Sequence, residues 1–268
     1  METLKRYISG RHTPVEIRWH LALSAVGYWD LVFCAWLVYP AEHHYSVTTN
    51  MLSDLGSFED RYNPEWYWVF TIAMVYCGIT LMPVMFYIRR RFAAVSGWGA
   101  RVGAFFFLVG CAGIVLTGLF PFAHSPLIGN WQWGQLHIAA AALIMVGFIF
   151  GIIWHGLFLL KDKFTKKTFA SQGKGLQPLG QRSRSEEKSP YLTLMGPFLV
   201  CVPVIAAIGY AIRWQAALAA REPVAALTVA LNGLERFPFL EHLAIWALTM
   251  FVIWFTIVLP YEPDREAQ

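Results

Sequence analysis

Three short stretches hold most of the residues that could do chemistry in this very apolar chain: Ser53-Asp54-Leu55-Gly56, His137 with Gln135 just before it, and the pair Glu241-His242. A carboxylate beside an imidazole raises the ring's pKa, fixes its tautomer and readies it for acid–base work. Glu241 paired with His137 across a helical bundle would be such an arrangement, with His137 as base or donor and Glu241 orienting it. Asp54 could accept backbone amides and order its loop, or bind a polar headgroup, with Gly56 supplying a positive φ. Ser53, His242, Gln135 and His124 are the candidate substrate-binding residues around these three. Each residue also has a structural reading: an Asx-type turn for Asp54, a hydrogen-bonded packing residue for His137, a helix-dipole acid for Glu241.

The elements that must position them are membrane helices. Of the 268 residues, 57% are hydrophobic and 14% charged, against roughly 25% charged in soluble domains. Runs of ~20 apolar residues give six spans, at 19–39, 66–88, 102–121, 135–160, 192–213 and 239–259. Asn63-Pro64-Glu65 reads as an N-cap, a first-turn proline and a carboxylate at the positive end of span two. Pro238 can open span six, and Pro260 and Pro263 stop it. Trp66, Trp68, Trp131, Trp133 and Trp214 suit an interfacial belt.

Charge sets the orientation. Of 21 lysines and arginines, all but Arg61, Arg213, Arg221 and Arg236 fall on one side of these spans. The positive-inside rule then makes both termini cytoplasmic. The fold class expected is an all-α, six-transmembrane-helix bundle in one membrane domain, 1–268. Its basic stretch 161–190 is expected as a flexible cytoplasmic loop, and 214–235 as a short helix along the outer interface. Asp54, His137 and Glu241 all fall at the ends facing away from the cytoplasm.

Other polar groups lie deeper. Asp30 sits near the middle of span one, where a charge is costly unless it faces the bundle, is protonated or lines a cavity. His155 and His20 lie in the cytoplasmic halves of their spans. Glu241 and His242 project ~100° apart on a helix, so one should face the bundle and the other the interface. His43 and His44 read as exposed interfacial histidines. Gly147 and Gly151 in span four, and Gly110, Gly113 and Gly118 in span three, let helix backbones approach closely.

Several classes find no support. There is no hydrolase, P-loop or Rossmann signature. The basic residues lie between spans with no base-stacking aromatics among them, so nucleic acid is not the partner expected. Cys34, Cys77, Cys111 and Cys201 lie in separate apolar segments and read as buried hydrophobes. No cofactor is expected. A divalent metal such as zinc would need about three ligands at one point, which Asp54, His137 and His242 supply only if the fold joins them.

The Ser53-Asp54-Leu55-Gly56 loop with Asn63-Pro64-Glu65, the Gly118-Leu119-Phe120-Pro121 end of span three and His137 opening span four resemble an uncharacterised prokaryotic six-helix membrane family known as a domain of unknown function. The outline is also similar to the damage-regulated autophagy modulator and Sfk-type membrane proteins, across about residues 17–260. In those, a Ser-Asp-x-Gly element, a following Pro-Glu, a histidine early in span four and an acid early in the last span recur, and Glu241 fits that last place. The long basic loop and Asp30 depart from the pattern. The resemblance implies a connection with membrane lipid and assigns no reaction.

Three functions are therefore in view. The first is a lipid-handling protein, with Asp54, His137 and Glu241 lining a pocket toward the outer leaflet that binds or remodels a lipid headgroup. The second is a small proton- or ion-coupled transporter with a path through His20, Asp30, His155 and His137. The third is a non-catalytic scaffold or regulator.

Overall fold

The computed structural model describes residues 2–93, 95–129, 131–172, 209 and 237–259. Six helices are described: α1 (Glu2–Ser9), α2 (Pro14–Leu37), α3 (Tyr67–Phe92), α4 (Gly97–Leu119), α5 (Trp133–Gln172) and α6 (Phe237–Val258). All but α1 are long and apolar enough to cross a membrane. The chain is thus a helical membrane protein with five such helices described. The span expected at 192–213, apart from Gly209, lies outside the described residues, as do 214–235 and 173–190.

Local signals explain the helix starts. Thr13 caps α2 in a capping box, its hydroxyl taking the Glu16 amide while the Glu16 carboxylate takes the Thr13 amide at 2.8 Å; Pro14 follows in the first turn. Ser96 caps α4 through the Gly99 amide. Both helices start before the apolar runs do, because caps act on backbone donors and ignore hydropathy. The α5 helix continues to Gln172, so the basic stretch 161–190 begins as helix and not as loop.

Helices α2 to α5 pack in chain order, with α4 between α3 and α5; α6 packs against α2. The close approach of α4 and α5 runs through glycine: a Cβ on Gly147 would overlap the backbone of Gly110. The core holds Phe107, Cys111, Phe148, Phe251 and Phe255. A two-strand antiparallel pair, β1 (Pro126–Ile128) and β2 (Trp131–Gln132), joins α4 to α5, turning at Gly129 with φ +58°.

One long irregular segment sits at the same end as this pair. Residues 38–66 connect α2 to α3 and contain a 3-10 turn over Leu52–Gly56, whose residues are all buried. That turn packs against α2, α3 and α6. At the opposite end lie Arg89, Arg90, Arg91 and the N-terminal helix α1.

Candidate functional site

The 52–56 turn is held together by its own acid. The Asp54 carboxylate accepts the Met51 amide at 3.0 Å and the Asn50 side-chain amide at 3.4 Å, while the Asp54 amide donates to the Met51 carbonyl at 3.1 Å. Asp54 is 6% exposed. Burial pushes its pKa up to about 6, against the pull of those two hydrogen bonds and of Arg61, with Glu59 adding to the rise. Gly56 does not take the positive φ expected of it. A side chain there would collide with the Phe70 ring, so glycine is required for close approach.

Asn63 does not cap α3 as expected; that helix starts at Tyr67 with Trp66 before it. Asn63 is fully buried and turns inward instead, donating its side-chain amide to the Leu55 carbonyl at 3.0 Å. It is a site residue that sequence alone places elsewhere, because an Asn-Pro pair signals a helix start as readily as a loop support.

The start of α6 reaches the same turn. Glu241 accepts the Leu52 amide at 3.2 Å, so the carboxylate meets the unsatisfied donor at the head of the 3-10 turn. His242 Nε2 lies 3.2 Å from the Asn50 carbonyl and 3.1 Å from the Tyr45 hydroxyl. A carbonyl only accepts, so Nε2 carries the proton; the Tyr45 hydroxyl in turn donates to the Met51 carbonyl at 3.3 Å. Both α6 residues thus hold residues 50–52. The expectation that only one would face inward fails because the loop wraps over the helix end and meets two of its faces. Burial, and then the nearby Glu241 and Asp54 carboxylates, push the Tyr45 pKa up. Burial and Asp54 push Tyr39 up to about 12.

His137 is placed differently. Its Nδ1 donates to the Phe120 carbonyl at 2.7 Å, and its ring meets Phe122 edge-on. It closes the C-terminal end of α4 and makes no hydrogen bond to Asp54 or Glu241 among the described residues. The Glu241–His137 pair expected above is therefore not formed among the described residues: Nδ1 finds a backbone acceptor at the C-terminal end of α4. Gln135 is exposed, and its side-chain oxygen takes the Gln132 amide at 3.1 Å at the start of α5. His124 belongs to an exposed clasp between loops. Its amide and its Nδ1 both donate to Glu59, at 2.5 and 2.8 Å, and Arg61 donates to the other Glu59 oxygen. Burial would raise the Glu59 pKa, but these three donors hold it below the ordinary range. Ser53 is buried within the turn.

Asp30 is exposed among the described residues, not turned into the bundle. His155 is fully buried between Phe92, Phe107 and Phe255; its Nδ1 donates to the Gly151 carbonyl at 2.7 Å and its Nε2 meets no partner among the described residues. His20 donates to the Thr80 carbonyl at 2.7 Å. His43 is half-buried and holds the Tyr62 carbonyl at 2.8 Å, while His44 is exposed in a left-handed conformation. These residues sit in separate surroundings and trace no shared polar path among the described residues. No group of three metal-ligating side chains forms there either.

Beneath the turn lies an apolar chamber of about 110 Å³ with wall residues from α2, α3, α4, α5 and α6. Ser24, Thr80 and Thr249 are in its wall, but their hydroxyls donate back into their own helices, to His20, Tyr76 and Ile245. The other polar side-chain atoms of the wall are the Tyr28 hydroxyl and the Cys77 thiol. Leu52 contributes to the wall from outside the long helices, on the side of the turn.

No curated protein and no solved structure matches the chain. The likeness to the autophagy-modulator and Sfk-type proteins therefore receives no confirmation. A family model does match, over residues 22–178. It takes in α2 to α5 with the 52–56 turn, His124, His137 and His155, and leaves out Glu241 and His242. Because that match covers more than half of the sequence, the chain belongs to the family described as protein of unknown function DUF998.

Proposed function

We propose that this protein handles membrane lipid, its chamber taking a length of hydrocarbon and the polar cluster of Asp54, Glu241, Tyr45 and His242 meeting the headgroup. The observation that carries this reading is the chamber itself: a mostly apolar hollow among membrane helices, with the buried Asp54 and half-buried Glu241 carboxylates toward one end. Apolar cavities of comparable size, about 150 Å³, stay dry and take small hydrocarbons. A path for ions or protons would need a run of polar atoms, and the wall offers few: the hydroxyls of Ser24, Thr80 and Thr249 give their protons to their own helices, and most of the lining is apolar.

In this reading the bundle has six spans, both termini are cytoplasmic, and the 52–56 turn faces away from the cytoplasm; the distribution of arginine and lysine supports that orientation. The proposed role is binding. His137 is left out of this reading: its Nδ1 proton goes to the Phe120 carbonyl, and the ring makes no hydrogen bond to Asp54 or Glu241 among the described residues.

The test is to fill the chamber. Ala25 lines it from α2, whereas Leu23 on the same helix is 65% exposed. In phosphatidylcholine nanodiscs, Ala25→Phe should weaken binding of a spin-labelled single-chain amphiphile by about tenfold, the effect of overpacking on the order of 1–3 kcal/mol. Leu23→Phe should leave it unchanged. Equal binding by all three proteins would reject the chamber as the lipid site.

A further inference from the structure

Among the described residues, the chamber has one wall residue that no α-helix fixes. Leu52 belongs to the 3-10 turn, and its amide is held from 189 residues away by Glu241. The turn is self-contained: Asp54 binds Met51 in both directions, and the Ser57 amide donates to the Asp54 carbonyl at 3.3 Å. Such a unit can move as one piece about its outer attachments. Besides packing against α2 and the Tyr45 hydroxyl on the Met51 carbonyl, those attachments fall on two sides. On the α3 side, Asn63 holds the Leu55 carbonyl and Phe70 packs on Gly56. On the α6 side, Glu241 holds the Leu52 amide and His242 the Asn50 carbonyl. The same helix α6 also builds the chamber wall with Ile245, Leu248, Val252 and Ile253.

We infer that Glu241 is a positioning residue that latches residues 50–56 as a lid over the chamber, and that release of the Leu52 amide opens the chamber from this end. The inference rests on the lipid reading for what enters, but the latch is measured without lipid. The α3 side acts as the hinge and the α6 side as the catch. The Glu241 carboxylate contributes only an acceptor, so glutamine can replace it and leucine cannot.

Cys77 lines the chamber and reports its opening. The experiment uses the full chain in nanodiscs with Cys34, Cys111 and Cys201 replaced by alanine, and a charged, water-borne methanethiosulfonate. Glu241→Leu should raise the Cys77 labelling rate about tenfold, the change expected when one hydrogen bond is lost from an opening equilibrium and its donor is left without a partner. Glu241→Gln should stay within about twofold, because an acceptor remains. Leu52→Pro deletes the donor from the other side. Its backbone is suited to proline, since Met51 has φ −70° and ψ 154° and Leu52 opens the turn. Leu52→Ala controls for the lost side chain. Glu241→Leu should add nothing on top of Leu52→Pro. If Glu241→Leu does not fold, the comparison of Leu52→Pro with Leu52→Ala tests the same hydrogen bond from its donor: faster labelling in the proline variant supports the latch, and equal labelling overturns it. Unchanged labelling in Glu241→Leu, or additive effects with Leu52→Pro, would also overturn the latch. Faster labelling in Glu241→Leu alongside lipid binding that ignores Ala25→Phe would keep the latch and remove the lipid reading. Slow labelling throughout, with lipid binding lost in Ala25→Phe, would remove the latch alone.

Discussion

Replacing Asp54 with asparagine separates two influences that act on the turn together. The carboxylate takes two hydrogen bonds that favour its charge, yet burial dominates and raises its pKa from 3.8 to about 6. A rise of that size corresponds to ~3 kcal/mol between the two protonation states. Because the value in the closed turn lies above the ordinary one, the neutral carboxyl is the form that the closed turn prefers. The contribution is complete below pH 3.8, is lost as pH rises through about 6, and changes no further above that. Asparagine keeps an oxygen for the Met51 amide and has no proton to lose. Hydrogen exchange of the amides from Met51 to Ser57, corrected for its intrinsic pH dependence, is the assay. Between about pH 4 and pH 7 the parent should lose up to about a hundredfold in protection, and Asp54→Asn should hold a level profile. Parallel profiles for the two proteins would refute the reasoning, since no ionisation at Asp54 would then be coupled to the turn.

Two further outcomes follow from the packing. Gly147→Ile forces a side chain into the Gly110 backbone and should cost at least ~1–3 kcal/mol by thermal unfolding in detergent. Gly97→Ala meets nothing within 4 Å and should be neutral or slightly stabilising; equal losses in both would contradict the α4–α5 contact. His155→Phe gives up the Gly151 hydrogen bond but also removes a buried nitrogen without a partner among the described residues, so its stability should stay within ~1 kcal/mol of the parent. A loss of ~3 kcal/mol or more, or loss of lipid binding, would mean that the ring nitrogens do something that an aromatic box does not.

The helices were readable because each buries or presents a long apolar run, and that property is local. Four expected spans from 19 to 160 and the last at 239–259 overlap observed helices, with starts shifted by Thr13 and Ser96, whose caps answer to backbone donors. The Asp54 turn was readable in part: a short acid accepting a backbone amide is a sequence-local pattern, but the amide it takes is that of Met51, three residues back, and not one ahead of it as in an Asx-type turn. The surroundings of that turn were not. Glu241 and Leu52 are 189 residues apart, and no periodicity carries information over that distance. His137 shows the converse. Its position early in α5 was plain, but its partner, the Phe120 carbonyl, is backbone, and backbone acceptors exist at every residue. Asp30 looked committed to the bundle by the cost of burying charge, yet it lies on an exposed face of α2 among the described residues. At mid-span an outward face meets hydrocarbon and not water, so that exposure does not remove the cost which pointed Asp30 inward.

The central claim is that hydrocarbon occupies the chamber. A diazirine-bearing acyl lipid, photo-crosslinked to the protein in native membranes and mapped by peptide, tests it most directly. The account predicts adducts on chamber residues such as Cys77, Leu81, Leu248 and Val252, reduced by Ala25→Phe. Adducts confined to outward-facing residues such as Trp19, Phe33 and Trp36, unaffected by that substitution, would contradict it.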